Sequence, residues 1–289
     1  MHRRKILIIL VMACLLFLAG CGGFNLFATP TPANTPTPTE LPMALRVNGE
    51  GITITEYQHE LDLLKSAWQE AGKAADDAAQ KKLLQDYFID ELILSQAAKT
   101  EGYAVSDAAL QEHITALAGQ LGGQDKLAQW KTKYGYDDAS FIQRLRRGMA
   151  AAWMRDRVAA QAGTTADQVH ARQIRVNSDG EARAVQAQLQ AGTDFTELAD
   201  EYDPLTRGDL GWFPRGYLYQ KAVEDAAFAL QPGQVSAMLT TEIGYHFVLV
   251  IERDANRPLS PDALQFVRRQ ALEKWLTQQR SEAKIDILI

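Results

Sequence analysis

In HARQIRV, residues 170–176, Ile174 and Val176 alternate with polar partners as a half-buried strand requires, and Gln173 sits in the middle of the run. A carboxamide at that place can donate and accept hydrogen bonds at once but cannot titrate. A second polar side chain among apolar neighbours is His246, in GYHF. Asp203 precedes Pro204 in a turn-like stretch, and Thr241 lies shortly before His246. Other reactive side chains are scarce. His59 and His113 stand alone on helix-like segments, where solvated or capping roles are expected, and the first half has no His/Asp/Glu spacing suited to a metal. Both cysteines, Cys14 and Cys21, lie within the first 21 residues, so cysteine chemistry is not expected in the body of the chain. Plain structural roles stay open for the rest. His246 suits a satisfied core histidine, Asp203-Pro204 an exposed turn, and Gly208, Gly211 and Gly244 suit turns and close packing.

The elements that must position these residues belong to a chain of 289 residues, long enough for two domains of ordinary size. A composition of 46% hydrophobic and 23% charged residues is that of a globular protein, and a net charge of −6 without a Lys/Arg cluster in the body argues against a nucleic-acid surface. Residues 1–21 read as a targeting segment. A basic start (His2, Arg3, Arg4, Lys5) leads into an apolar run, Ile6 to Phe17, too short to span a bilayer comfortably. It ends in LAGC, which resembles the bacterial lipobox and implies acylation of Cys21 as the first mature residue. Residues 22–43 then include TPTPANTPTPTELP, whose alternating Pro and Thr favour an extended tether over a packed core. A lipid, a stalk and a folded body imply work just outside a membrane, with partners arriving at that surface.

The body is expected to begin with a hairpin around Asn48-Gly49, followed by helices. T-x-x-Q from Thr55 to Gln58 suggests a cap for the first helix, and Leu83, Leu84, Phe88, Leu92 and Ala97 would share one face of the next, with Gly102 as its stop. Ser106 and Asp138 are expected to cap further helices, the last ending near Ala162. After Gly163 the pattern changes. Thr165 to Gln168 suggests another cap before the strand 170–176; helices follow at 181–191, 195–202 and 221–230, and strands around 235–240 and 245–252. Beyond Pro258, Ser260 and Pro261 start a long helix. The terminal run Ile285–Ile289 is β-branched and too short to stand alone, and is expected to pair with the strand at 44–54.

Between 168 and 254, QVHARQIRV, GTDFTELADEYD, RGDLGWFPRG, VEDAAFALQPGQVS and TTEIGYHFVLVIERD together resemble the parvulin-type (PpiC, rotamase) peptidyl-prolyl isomerases, in the right order over some ninety residues. The flanks, VNGEGITITEYQHEL in particular, resemble the helical chaperone domain of SurA/PrsA-like foldases. The resemblance implies an α+β fold. A small antiparallel-sheet parvulin domain, ordered β-α-α-β-α-β-β, would occupy 164–254. It would be inserted in a mainly α-helical chaperone domain made of 44–162 and a C-terminal helix and strand, 256–289.

The resemblance also implies site residues. The family usually has two histidines facing each other across adjacent strands. His246 matches the second, and Gln173 stands at the first, in the family's A-R-H-I-L pattern. Asp203 best matches the acidic or cysteine residue ahead of G-D-L-G, on a loop, 203–207, shorter than usual. Leu218, Val223 and Phe228 would line the proline pocket, with Val223 where an aromatic residue is commoner, and Thr241 would supply a hydroxyl near His246. The loop NSDG after Val176 lacks the basic cluster of phosphate-directed parvulins. Such a site would accelerate cis/trans exchange at X–Pro bonds without cofactor, metal or nucleophile. Its partners would be unfolded exported chains containing X–Pro bonds. A second function from another class is a chaperone or binding module that grips proline-containing segments without accelerating isomerisation, which Gln173, Val223 and the short loop favour.

Overall fold

A computed structural model describes residues 41–289; the targeting segment with Cys21 and most of the tether lie outside them. The described chain begins with a hairpin, β1 (Met43–Val47) and β2 (Glu50–Thr53), turned at Asn48-Gly49. Five helices follow: α1 (Ile54–Glu70), α2 (Asp77–Thr100), α3 (Asp107–Leu121), α4 (Gln124–Lys133) and α5 (Asp138–Ala160). Next come β3 (Thr165–Val176), α6 (Asp179–Gln190), α7 (Phe195–Tyr202), β4 (Asp209–Pro214), α8 (Lys221–Ala229), β5 (Leu239–Thr241) and β6 (Gly244–Pro258), and the chain closes with α9 (Pro261–Glu282) and β7 (Ile285–Ile287).

Short polar residues start these helices because their side chains satisfy amide groups that have no partner inside the helix. Asp76, Ser106 and Ser260 each accept from the backbone N–H three residues on, and Ser178 and Glu181 cap each other reciprocally at α6. Three expected starts need correction. Thr53, not Thr55, caps α1, accepting from the Glu56 amide, because β2 ends there. Asp137, not Asp138, caps α5. Thr165 caps nothing: it opens β3, which pairs with β6 all the way to Pro258. Gln168, read as that cap's partner, is buried in the strand, its Nε2 donating to the carbonyls of Arg257 and Pro258. A fully paired ladder outweighs a local capping pattern here. Leu83 is also exposed rather than on the buried face of α2 that carries Leu84, Phe88 and Leu92. The strand expected at 235–240 is only β5, preceded by a single bridge from Val235 to Leu249.

Helices α1, α2 and α9 and the outer strands share one core. The sheet order β2-β1-β7 brings the C-terminal strand against the first, with Leu45 opposite Ile287. Ala44, Leu45, Val47 and Ile52 pack on Tyr57, Phe88 and Leu92, and Trp275, Leu276 and Ile285 close over them from the other end of the chain. A second cluster joins α2, α5 and α9 through Leu94, Ala98, Ala151, Met154 and Leu272.

Between α5 and α9 the chain forms a four-stranded antiparallel sheet, β4-β3-β6-β5, apolar on both faces. On one face Val169, Ala171, Phe213, Val248 and Val250 pack against Val223, Ala227 and Phe228 of α8. On the other Ile174, Val176 and Phe247 pack against α6 and α7 through Val185, Phe195 and Leu198. The α8 face carries the site.

Candidate active site

Alternation along β6 puts His246 on the same face as Val248 and Val250, and alternation along β3 puts Gln173 there with Ala171. The two side chains meet. His246 is 1% exposed, and its Nδ1 lies 3.0 Å from Gln173 Oε1 while its Nε2 lies 2.9 Å from Thr241 Oγ1. A carboxamide oxygen only accepts, so Nδ1–H donates to it, and the neutral ring then accepts at Nε2 from the Thr241 hydroxyl. That hydroxyl in turn accepts from the Ile243 amide at 3.2 Å. The chain Ile243–Thr241–His246–Gln173 thus runs across three strand ends with one tautomer of the ring. Burial pushes the imidazole pKa down, and the Arg175 guanidinium pushes it the same way. The ring is held neutral.

Two glycines let the backbone close around this chain. Gly208 has φ +64, and a Cβ there would sit 2.0 Å from the Gln173 carbonyl oxygen. Its own carbonyl accepts from the Gln173 amide at 2.8 Å, so the 203–208 loop docks on β3 at that residue. Gly244 has φ +123, and a Cβ there would meet the Val176 carbonyl oxygen at 2.4 Å. Any larger residue would push the loop off β3 at Gly208, or β6 off β3 at Gly244.

Asp203 stands at the root of the same loop but outside the chain of hydrogen bonds. Its carboxylate accepts from the Thr206 amide at 3.1 Å and from the Thr206 hydroxyl, and these bonds hold its pKa below the usual carboxylate range. It closes the turn.

The proposed pocket residues also divide. Val223 and Phe228 are buried, Phe228 lying edge-on to Phe213 with the Arg215 guanidinium 4.2 Å above its ring. Of the three, only Leu218 is partly exposed, beside Leu210 and Leu239 on the same cluster. Leu239 pairs directly with His246 across β5 and β6, so the apolar rim adjoins the polar chain there. Among the described residues no group of three His, Cys, Asp or Glu side chains is placed to hold a metal ion.

Comparison with known families gives two matches. The SurA-like N-terminal domain matches residues 2–155, more than half of the chain, and the PPIC-type PPIASE domain, rotamase, matches residues 158–252. The chain belongs to the SurA-like N-terminal domain family and carries a PPIC-type peptidyl-prolyl isomerase domain.

The chain is 32% identical over 126 residues to the foldase protein PrsA of Geobacillus sp. (strain WCH70), a match covering 42% of this chain and 45% of that one. It is 33% identical over 152 residues to the chaperone SurA of Alkalilimnicola ehrlichii, covering 45% of this chain and 35% of that one. The chain therefore spans less than half the length of these two curated relatives. The crystal structure of the peptidylprolyl isomerase PrsA from Bacillus cereus is similar over 84% of this chain and 88% of that one, at 16% identity and a TM-score of 0.45.

In the isomerase domain, sequence reasoning overlooked three contributors. Leu210 and Leu239 form the apolar rim with Leu218, yet a lone leucine in a strand carries no signal of its own. Glu224, 4% exposed, accepts from the amides of Gly216 at 2.7 Å and Leu218 at 3.0 Å, and so fixes the loop that carries Leu218. An acid in the buried stretch VEDAAF was the available clue.

Proposed function

We propose that the chain accelerates cis/trans exchange at X–Pro bonds in unfolded exported proteins, and works as a foldase at the outer face of a membrane. The reading rests on one observation: a buried, neutral histidine held by Gln173 and Thr241 adjoins an apolar rim at Leu239. Rotation about an X–Pro bond has a barrier of roughly 18–20 kcal/mol and makes or breaks no covalent bond. The twisted amide has lost its resonance and is less polar than the planar one, so an apolar, water-poor surface favours it. Leu210, Leu218 and Leu239 would receive the proline ring. The chain of hydrogen bonds would keep the polar floor in one arrangement, with His246 neither giving nor taking a proton. Gln173 meets that demand as a histidine would, because the place calls for an acceptor.

A protease-coupled assay on short X–Pro peptides tests the reading, with measurable acceleration as the expected result. A folded protein that binds such peptides without accelerating exchange would instead be the binding module; the replacement of the first histidine by Gln173 favours that second reading. The membrane setting rests on LAGC and the Pro/Thr tether, which lie outside the described residues. Among the described residues no helix is long and apolar enough to cross a membrane. Stable anchoring through Cys21 would need two or more acyl chains. Cys21→Ser should release the protein from the membrane fraction; retention of a processed Cys21→Ser protein would count against lipid anchoring.

A further inference from the structure

Arg175 lies directly across from His246 in the register of β3 and β6. Opposite residues of an antiparallel pair project from the same face, so Arg175 emerges beside the Gln173–His246 chain. Its side chain is exposed, and among the described residues nothing pairs with it. Three other arginines of the domain are engaged: Arg207 approaches Asp200, Arg215 pairs with Asp225, and Arg253 pairs with Asp167. Asp203, on the loop that docks on Gln173, accepts from Thr206 instead. Arg175 is also the one charged side chain whose field, after burial, moves the His246 pKa.

We propose that Arg175 selects substrates, drawing in proline-containing segments that carry a carboxylate side chain on the residue before proline. An unpaired guanidinium at the edge of a water-poor site attracts an acidic residue and repels a basic one. The charge acts on capture of the segment rather than on rotation, so it separates peptides by kcat/KM. The inference rests on the proposed function, because it names the substrate class of the same site.

The test measures kcat/KM for tetrapeptides with Glu, phosphoserine, Ala or Lys before proline, in wild type, Arg175→Ala, Arg175→Lys and Arg175→Glu. An exposed ion pair predicts a Glu-to-Lys ratio of about fivefold in wild type at low salt, shrinking at high salt. The ratio should fall to near one in Arg175→Ala, persist in Arg175→Lys and invert in Arg175→Glu. A ratio near one in wild type, or one that Arg175→Ala leaves unchanged, overturns the inference. Preference for phosphoserine over Glu by more than about tenfold overturns the carboxylate assignment. If no peptide is isomerised, the isomerase reading fails by itself. The same series is then read as binding through the His246 imidazole resonances. A Glu-to-Lys affinity ratio abolished in Arg175→Ala supports the inference, and a flat series or no binding overturns it.

Discussion

His246 is buried within the site, and the fold changes its charge state. Because burial and Arg175 lower its pKa, the ring is neutral in the native state where a free histidine, at about 6.5, would already be half charged. Below that pH the unfolded chain binds the extra proton and the native chain does not, so stability falls as pH drops through about 6.5 and is unaffected by this group above it. His59, half-buried against Tyr134 and Tyr136, is shifted in the same direction and adds to the effect. A titration of the His246 ring resonances should show a midpoint below 6.5, and the isomerisation rate should be level above it. A rate that tracked one ionisation near neutrality would mean proton chemistry at the site. Gln173→His should keep or raise the rate, since an imidazole can also accept from Nδ1–H; a folded Gln173→His protein with less than about a tenth of the wild-type rate would refute that equivalence. The apolar residues should separate by burial. Leu218→Ala, at the exposed rim, should lower kcat/KM about tenfold with little change in Tm, whereas Phe228→Ala should cost about 3–5 kcal/mol of stability by leaving a cavity. Equal Tm losses in the two variants would contradict the division of roles.

At the scale of elements, the helical half holds a charge cluster that periodicity could not reveal. Arg147 of α5, with a side chain 6% exposed, donates through Nε to Glu91 of α2 at 2.8 Å and reaches Glu56 of α1. Arg144 lies 2.6 Å from Glu60 and 3.9 Å from Glu91, and the Tyr136 hydroxyl donates to Glu60 at 3.1 Å. Three helices are tied by charges that have left water, so removing one partner strands the other. Arg147→Met should therefore lose about 3–5 kcal/mol in chemical denaturation, and the double variant Arg147→Met/Glu91→Gln should lose less. Equal losses would mean that the arginine acts by packing against Phe88 alone. The elements themselves were mostly readable, because caps and apolar spacing are local. At Thr165, one of the places where the reading failed, a strand partner more than eighty residues away decided the outcome.

The helical body depends on contacts between the first and last of the described strands. Lys284 and Asn48 exchange hydrogen bonds, the Asn48 amide donating to the Lys284 carbonyl at 2.8 Å and the Lys284 amide to Asn48 Oδ1 at 2.9 Å, and β7 then completes the outer sheet. Within the inner sheet, β3 and β6 stay paired from Val176 and Tyr245 to Thr165 and Pro258, past the expected limit of 254. We propose that the sheet domain folds by itself when cut at about 163–259, and that the helices need the C-terminal segment. Deleting 285–289 should lower the thermal transition of the helical part while leaving that of the sheet domain in place. A single cooperative loss of both would contradict independent folding.

The sequence alone carried what depends on near neighbours and ordered motifs: the hairpin at Asn48-Gly49, most helices and the β-α-α-β-α-β-β order, while the grouping of Gln173, His246 and Thr241 came from the family resemblance. Short-range hydrogen bonding and side-chain periodicity leave direct traces in residue types and spacing. Tertiary structure alone decided that Leu210 and Leu239 form the rim beside Leu218, and that Arg175 stands unpaired opposite His246. Each of these is a matter of which strands pair, in what register, and what water can still reach. Such relations link residues far apart in the chain, and no local pattern records them.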